Sequence, residues 1–258
     1  KHAVDTLQYI SYQIIEGKLD KVNIGHFEQL ALFISSLLHD VDHKWQKEYE
    51  NNPENETEYF EYIFGQSSDE EQILPLSILM QKSSLLETHH IETAISILTS
   101  KNERNILINL NEKDYEAIWF LIIKLIISTD MRKHFKIVHK LQSLLTNDNF
   151  NPATNENHRL LLMKCLIKSA DLSKVTRPFI DSKNLLINFS TDIAEEFFRQ
   201  GKLKDAKGMT FISSDKDYAH LDKDASMMGF FTEVCLPLFR AISEAAPMLN
   251  ECTQKVGE

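Results

Sequence analysis

Glycine and proline are scarce in this chain, 7 and 6 among 258 residues. Both punctuate a chain at turns, so their scarcity excludes an architecture of many short strands and favours fewer, longer helices. Cysteine is scarcer still. Cys165, Cys235 and Cys252 are odd in number and widely spaced, which argues against a disulfide framework and for a reducing compartment, the cytoplasm first and the nucleus second. Excess positive charge is absent too. With 28 Lys and Arg against 38 Asp and Glu, the net charge is -10, which excludes a nucleic-acid or anionic-membrane surface built on clustered cations. An anionic substrate would need local positive charge, which metal ions can supply. The longest apolar stretch, Ala117 to Ile127, is broken by Lys124 and falls well short of the roughly 18 apolar residues of a membrane span. Lys1 is not an initiating residue, so the chain reads as truncated at its N-terminus, and missing targeting signals carry little weight.

What is present is helical periodicity. Val4, Leu7, Ile10, Ile14 and Ile15 fall at helical spacings and predict an opening amphipathic helix. Residues 28–38 predict a second, ending at His39. Residues 116–128 are apolar nearly all round, which predicts a buried central helix. Residues 159–170 predict another, ending at Asp171, and two more cover about 184–200 and 227–246. No segment alternates with period two. The fold class expected is all-α, one multi-helix domain over 1–258. Two polar stretches, 44–58 and 147–157, are rich in Asn, Glu and Pro and read as surface loops. The first is taken as an insertion within the domain, because residues on both sides of it serve one site.

The chemistry gathers at helix ends. His39-Asp40-Val41-Asp42-His43 puts four ionisable groups in five residues directly after an apolar run. Beside a core this is costly unless compensated, and a dication would compensate it. Taken alone, the cluster is balanced between a metal site and a solvated helix end. Two further positions tip the balance. His2 opens the first helix, with Asp5 on the same face, and Asp171 closes an apolar helix. Imidazole nitrogens and carboxylate oxygens suit Zn, Fe or Mn, and a carboxylate can bridge to a harder ion such as Mg.

The strings KHAVDTLQ, LLHDVDH, LLETHH, ISTDMRKH, SADLS and AEEFFRQG occur here in this order over residues 1–201, followed by the weaker MMGFFTEVCLPLF. In this the chain resembles the catalytic domain of the class I cyclic nucleotide phosphodiesterases, all-helical HD-type enzymes with two metals at the helix ends. Its Asn- and Lys-rich loops resemble the fungal, yeast-type high-affinity cAMP branch. The resemblance implies that His2, His39, Asp40 and Asp171 hold a first metal, zinc, and that Asp40 bridges to a second, Mg or Mn, ligated mostly by water. It implies that His43, Glu87 and Thr129 hydrogen-bond those waters, which orients the ligands. A hydroxide bridging the two ions would attack phosphorus in line and open the ring ester at its 3′ oxygen. The family's proton donor to that oxygen is a histidine four residues before the position of His2, upstream of Lys1.

The resemblance also implies a base clamp, with Phe230 stacking on the nucleobase and Ile193 as the opposing jaw. Where the family has a glutamine that reads the base edge, this chain has Met227, which cannot make a bidentate amide contact. Lys174 stands where the family usually has Asn. The substrate expected is a cyclic nucleotide, cAMP in preference to cGMP through the fungal likeness, while the oligomeric state stays open. From spacing alone, Phe230 and Ile193 also fit plain core packing, and Glu195, Glu196 and Arg199 fit solvent or structural ion pairs. His89 and His90 point about 100° apart on a helix and cannot easily face one ion together, so His90 is read as supporting or structural.

Two other functions compete. One is an HD-type phosphohydrolase acting on another phosphate ester, which the strings LLETHH, TDMRKH and AEEFFRQG oppose. The other is a degenerate nucleotide-binding scaffold, suggested by Met227 and opposed by the intact metal positions. A helical repeat protein is disfavoured because no internal period occurs.

Overall fold

The computed structural model describes residues 2–43, 84–176 and 228–249. These form seven α-helices: α1 His2–Glu16, α2 His26–Leu38, α3 Leu85–Thr99, α4 Glu112–Thr129, α5 His134–Thr146, α6 Glu156–Asp171 and α7 Leu236–Ala245. Among the described residues there is no strand. The expected insertion at 44–58 and the helix at about 184–200 lie outside the described residues.

Local sequence sets the helix limits. Asn111 and Asn155 cap α4 and α6, each accepting from backbone N–H groups of the first turn, Asp114 at 3.0 Å and Asn157 at 2.9 Å. Glu28 reaches back to the Gly25 N–H at 3.2 Å and closes the start of α2. Gly17 ends α1 by hydrogen-bonding the Gln13 carbonyl. A β-carbon there would collide with that carbonyl, which accounts for glycine at this point.

The helix at the centre of the packing is α6, which touches α1, α2, α4, α5 and α7. Leu161, Leu162, Met163 and every residue from Cys165 to Ala170 are buried. Each large apolar side chain so enclosed contributes roughly 1.5–3 kcal/mol. The sequence points instead to residues 116–128, and α4 does bury Ile118, Ile122, Leu125 and Ile126. However, it leaves Ala117, Phe120 and Lys124 exposed. The reason is composition: Lys164 and Lys168 lower the apparent apolarity of α6, although Lys168 is buried and Lys164 half-buried.

The helix expected over 227–246 is not uniform. Residues Phe230–Cys235 form a π-helical segment that runs into α7. Pro237, in the first turn of α7, has no N–H to return to the carbonyl four residues back, and its ring crowds that carbonyl. The wider π turn relieves both, and such turns recur at functional sites.

Candidate metal centre

The N-terminus of α1, the C-terminus of α2 and the C-terminus of α6 meet at one point. Gln13 on α1 donates to Ser169 Oγ on α6 at 2.6 Å in the buried interface, which locks the two helices together and fixes how their ends face each other. His2 lies at that end of α1, Asp171 at that end of α6. His2 Nε2 and Asp171 Oδ1 are 2.9 Å apart. His39 Nε2 lies 3.2 Å from His2 Nε2 and 3.3 Å from Asp171 Oδ1. Asp40 Oδ2 completes the set, 3.5 Å from His2 Nε2 and 3.7 Å from His39 Nε2. All four donor atoms fall within 4.8 Å of one another.

Asp40 faces two ways. Its other oxygen, Oδ1, lies 3.9 Å from His90 Nε2, and Asp40, His43 and His90 make a second group of donors within 4.8 Å. The turn after α2 produces this. Val41 and His43 hydrogen-bond back to Leu38 and Asp40, and Asp42 takes a left-handed conformation, φ 58°, which Asp tolerates better than most residues. The chain therefore doubles back with Asp40 between the two histidine groups.

Hydrogen bonds set the imidazole tautomers. The fully buried His39 donates from Nδ1 to the Ser36 carbonyl at 3.0 Å, leaving the Nε2 lone pair for the cluster. His90 donates from Nδ1 to the Val41 carbonyl at 2.7 Å, and its buried Nε2 has no hydrogen-bond partner. Burial, with His43 adding to it against the pull of Asp40, lowers the His90 pKa to about 4, so its lone pair is open at neutral pH.

These atoms fit a divalent cation. Two imidazole nitrogens and two carboxylates converge at distances that leave room between them only for protons or a cation. Without a cation, burial alone would lower the His39 pKa, but Asp40 and then Asp171 overcome it and raise it to about 9. Burial would raise the Asp171 carboxyl, yet hydrogen bonds from His2 and His39 hold it well below the usual carboxylate range. The site thus holds positive charge strongly.

The remaining sequence candidates fall around this centre or outside view. Glu87 is in the first turn of α3, three residues before His90, with a buried Oε2 lacking a hydrogen bond. Burial first and Asp130 second push its pKa up to about 7. Thr129 is buried in the last turn of α4 and donates to the Ile126 carbonyl at 2.8 Å. Phe230 begins the π-helical segment, half-buried against the core. Lys174 is half-buried in the 3-10 turn that follows α6. Met227, Ile193, Glu195, Glu196 and Arg199 lie outside the described residues. His89 turns away from the cluster and pairs with Asp42 at 2.9 Å, as its angle to His90 on the helix requires.

Sequence reasoning missed Ser84. Its left-handed backbone, φ 58°, precedes α3, and its hydroxyl caps nothing. Instead it donates to Asp130 Oδ2 at 2.6 Å and accepts from Lys133 Nζ. Arg132 grips the same Asp130 carboxylate with Nε and Nη2 at 3.0 and 2.9 Å. This network ties the start of α3, where Glu87 sits, to the end of α4, where Thr129 sits. The signal available was the acidic and basic run Asp130-Met131-Arg132-Lys133 after an apolar helix.

Comparison with known proteins decides the family. The profile described as 3′5′-cyclic nucleotide phosphodiesterase matches residues 1–58 and 70–256. The chain belongs to the 3′,5′-cyclic nucleotide phosphodiesterase family. Among this family's members it is 30% identical over 226 residues to the "cGMP-inhibited 3′,5′-cyclic phosphodiesterase 3A" of Rattus norvegicus, covering 88% of this chain and 18% of that protein. It is 31% identical over 215 residues to the "Dual 3′,5′-cyclic-AMP and -GMP phosphodiesterase beta" of Plasmodium falciparum, covering 83% of this chain and 17% of that protein. The chain therefore spans less than a fifth of the length of these relatives. A solved phosphodiesterase structure, LmjPDEB1 in complex with IBMX, superposes with a TM-score of 0.73 at 27% identity, covering 99% of this chain and 70% of that one. The all-helical fold is that of this family's catalytic domain.

Proposed function

We propose that residues 1–258 are one catalytic domain that hydrolyses the 3′ phosphoester bond of a 3′,5′-cyclic nucleotide in the cytoplasm, preferring cAMP over cGMP and releasing 5′-AMP. The observation that carries this reading is the meeting of His2, His39, Asp40 and Asp171 within 4.8 Å, from helices far apart in sequence. Family membership supplies the substrate class.

In this reading His2, His39, Asp40 and Asp171 would hold zinc, and Asp40 with His43 and His90 would face a second cation, Mg or Mn. When bound, such cations neutralise charge on the phosphate and make a nearby water more acidic. The chain's own residues do the rest. The Ser36 carbonyl takes the Nδ1 proton of His39 and so aims its Nε2 into the cluster, and the Val41 carbonyl orients His90 in the same way. Glu87, with a pKa near 7, accepts a proton from a site water or returns one at neutral pH. Thr129 spends its hydroxyl proton on the Ile126 carbonyl, so its oxygen is left to accept from a water. In-line attack of a water on phosphorus forms a new P–O bond as the bond to the 3′ oxygen breaks; Glu87 takes up the proton the water loses, and the 3′ oxygen gains one from solvent.

Phe230 serves as one face of the base clamp, with Ile193 and Met227 as its apolar partners. A thioether at Met227 reads neither purine edge by paired hydrogen bonds. The preference for cAMP rests on the likeness of the loops to the fungal high-affinity branch. The test is hydrolysis of cAMP and cGMP compared side by side at equal concentrations. Faster turnover of cAMP is expected. Equal or greater cGMP turnover overturns the preference, and absence of turnover with either overturns the activity.

A further inference from the structure

A buried lysine stands behind the metal centre. Lys168 is 1% exposed on the most enclosed helix of the fold, three residues before Asp171. An enclosed amine is costly unless its protons are accepted. Burial lowers its pKa, and Asp171 is the foremost of the groups that raise it again. Its Nζ donates to the Ser128 carbonyl at 3.1 Å and the Thr129 carbonyl at 3.3 Å.

Those two carbonyls belong to the last turn of α4, where no backbone N–H of the same helix can reach them. The chain breaks sharply at Asp130, φ -46° and ψ 116°, so the helix cannot continue to satisfy them. Other carbonyls of this turn are served from within it: Leu125 accepts from Ser128 Oγ and Ile126 from Thr129 Oγ1. Lys168 serves two of the carbonyls at this break, those of Ser128 and Thr129. Lys168 belongs to α6 and its Nζ bonds to the end of α4, so one side chain ties the helix end that carries Asp171 to the turn that carries Thr129.

We propose that Lys168 is a positioning residue of the metal centre, holding the C-terminus of α4, with Thr129, in register against Asp171. This rests on the proposed dimetal phosphodiesterase reading and deepens it. A merely structural lysine would affect folding alone. A positioning lysine affects cation binding and turnover in molecules that remain folded, by about 10–100-fold, the range seen when groups that orient metal ligands are removed.

The test compares Lys168→Met, Lys168→Gln and Ile122→Ala in the full-length protein. Ile122 is a fully buried α4 residue with no part in the site, so its truncation lowers the melting temperature as a purely structural control. Mn²⁺ binding is followed by electron paramagnetic resonance, and kcat and KM for cyclic nucleotide are measured well below the melting temperature of each variant. The expected result is weaker Mn²⁺ binding and a kcat at least tenfold lower for Lys168→Met, with KM within about threefold, and partial recovery in Lys168→Gln, whose amide still donates to carbonyls. Ile122→Ala keeps both readouts. Should Lys168→Met fail to fold, Lys168→Gln carries the same comparison against Ile122→Ala. Wild-type Mn²⁺ affinity and kcat in the lysine variants, or a loss no greater than in the control, overturns the proposal. Absence of Mn²⁺ binding and turnover in the wild type is a different outcome, which removes the dimetal reading beneath it.

Discussion

Oδ1 of Asp171 lies 2.9 Å from Nε2 of His2 although 169 residues separate them in sequence. Both atoms belong to helix ends that α1 and α6 bring together, and neither helix alone could present them. His2 Nε2 meets this carboxylate oxygen either by donating a proton to it or by facing a cation with it.

Among the described residues, Asp40 is the one side chain that belongs to both donor groups. Asp40→Asn keeps its shape and removes its charge, so loss of cyclic nucleotide hydrolysis by at least about 100-fold is expected, beyond the effect of removing an orienting group. Steady-state kinetics check this. Retention of more than a tenth of wild-type kcat would show that Asp40 bridges nothing.

Glu87 acts through water in the proposed mechanism. Glu87→Gln is expected to reduce kcat about 10–100-fold with little change in fold. It should also flatten the kcat profile near pH 7, where burial and Asp130 place the Glu87 pKa. A pH–rate profile identical to the wild type would assign Glu87 a structural role only.

His134 gives a pH prediction away from the metals. Burial first, then Lys168, lowers its pKa to about 4, and its Nε2 donates to the Val234 carbonyl at 3.1 Å. The unfolded chain therefore binds more protons between pH 6.5 and 4. Stability from this group is complete above 6.5 and lost as pH falls toward 4. At roughly 1.4 kcal/mol per unit, the loss approaches about 3.5 kcal/mol at most. Urea unfolding of wild type and His134→Gln over this range should show the difference between them shrinking as pH falls. A constant difference would mean the histidine is not buried neutral.

The parts of this structure legible in sequence are those where one residue type marks one event. His39 and Asp171 close apolar helices, and the periodicity of residues 4–15 and 28–38 gives α1 and α2 within two or three residues. The donors that converge were singled out because His and Asp beside apolar runs need a reason. Lys168 was hidden because a lysine in an amphipathic pattern reads as a solvent face, and only tertiary packing shows which carbonyls it serves. The same lysines concealed the central place of α6. The π-helical turn was hidden because Pro237 at a helix start is ordinary, and its cost appears only when a preceding helix must run through it. The roles of the Ser36 and Val41 carbonyls belong to the backbone, which the sequence does not spell out.

The most direct measurement is metal content by mass spectrometry of the purified wild type and of Asp171→Ala, with circular dichroism to verify that both are folded. The account predicts bound divalent cation in the wild type and its loss, together with cyclic nucleotide hydrolysis, in the folded variant. A folded Asp171→Ala that retains the wild-type cation content would contradict it.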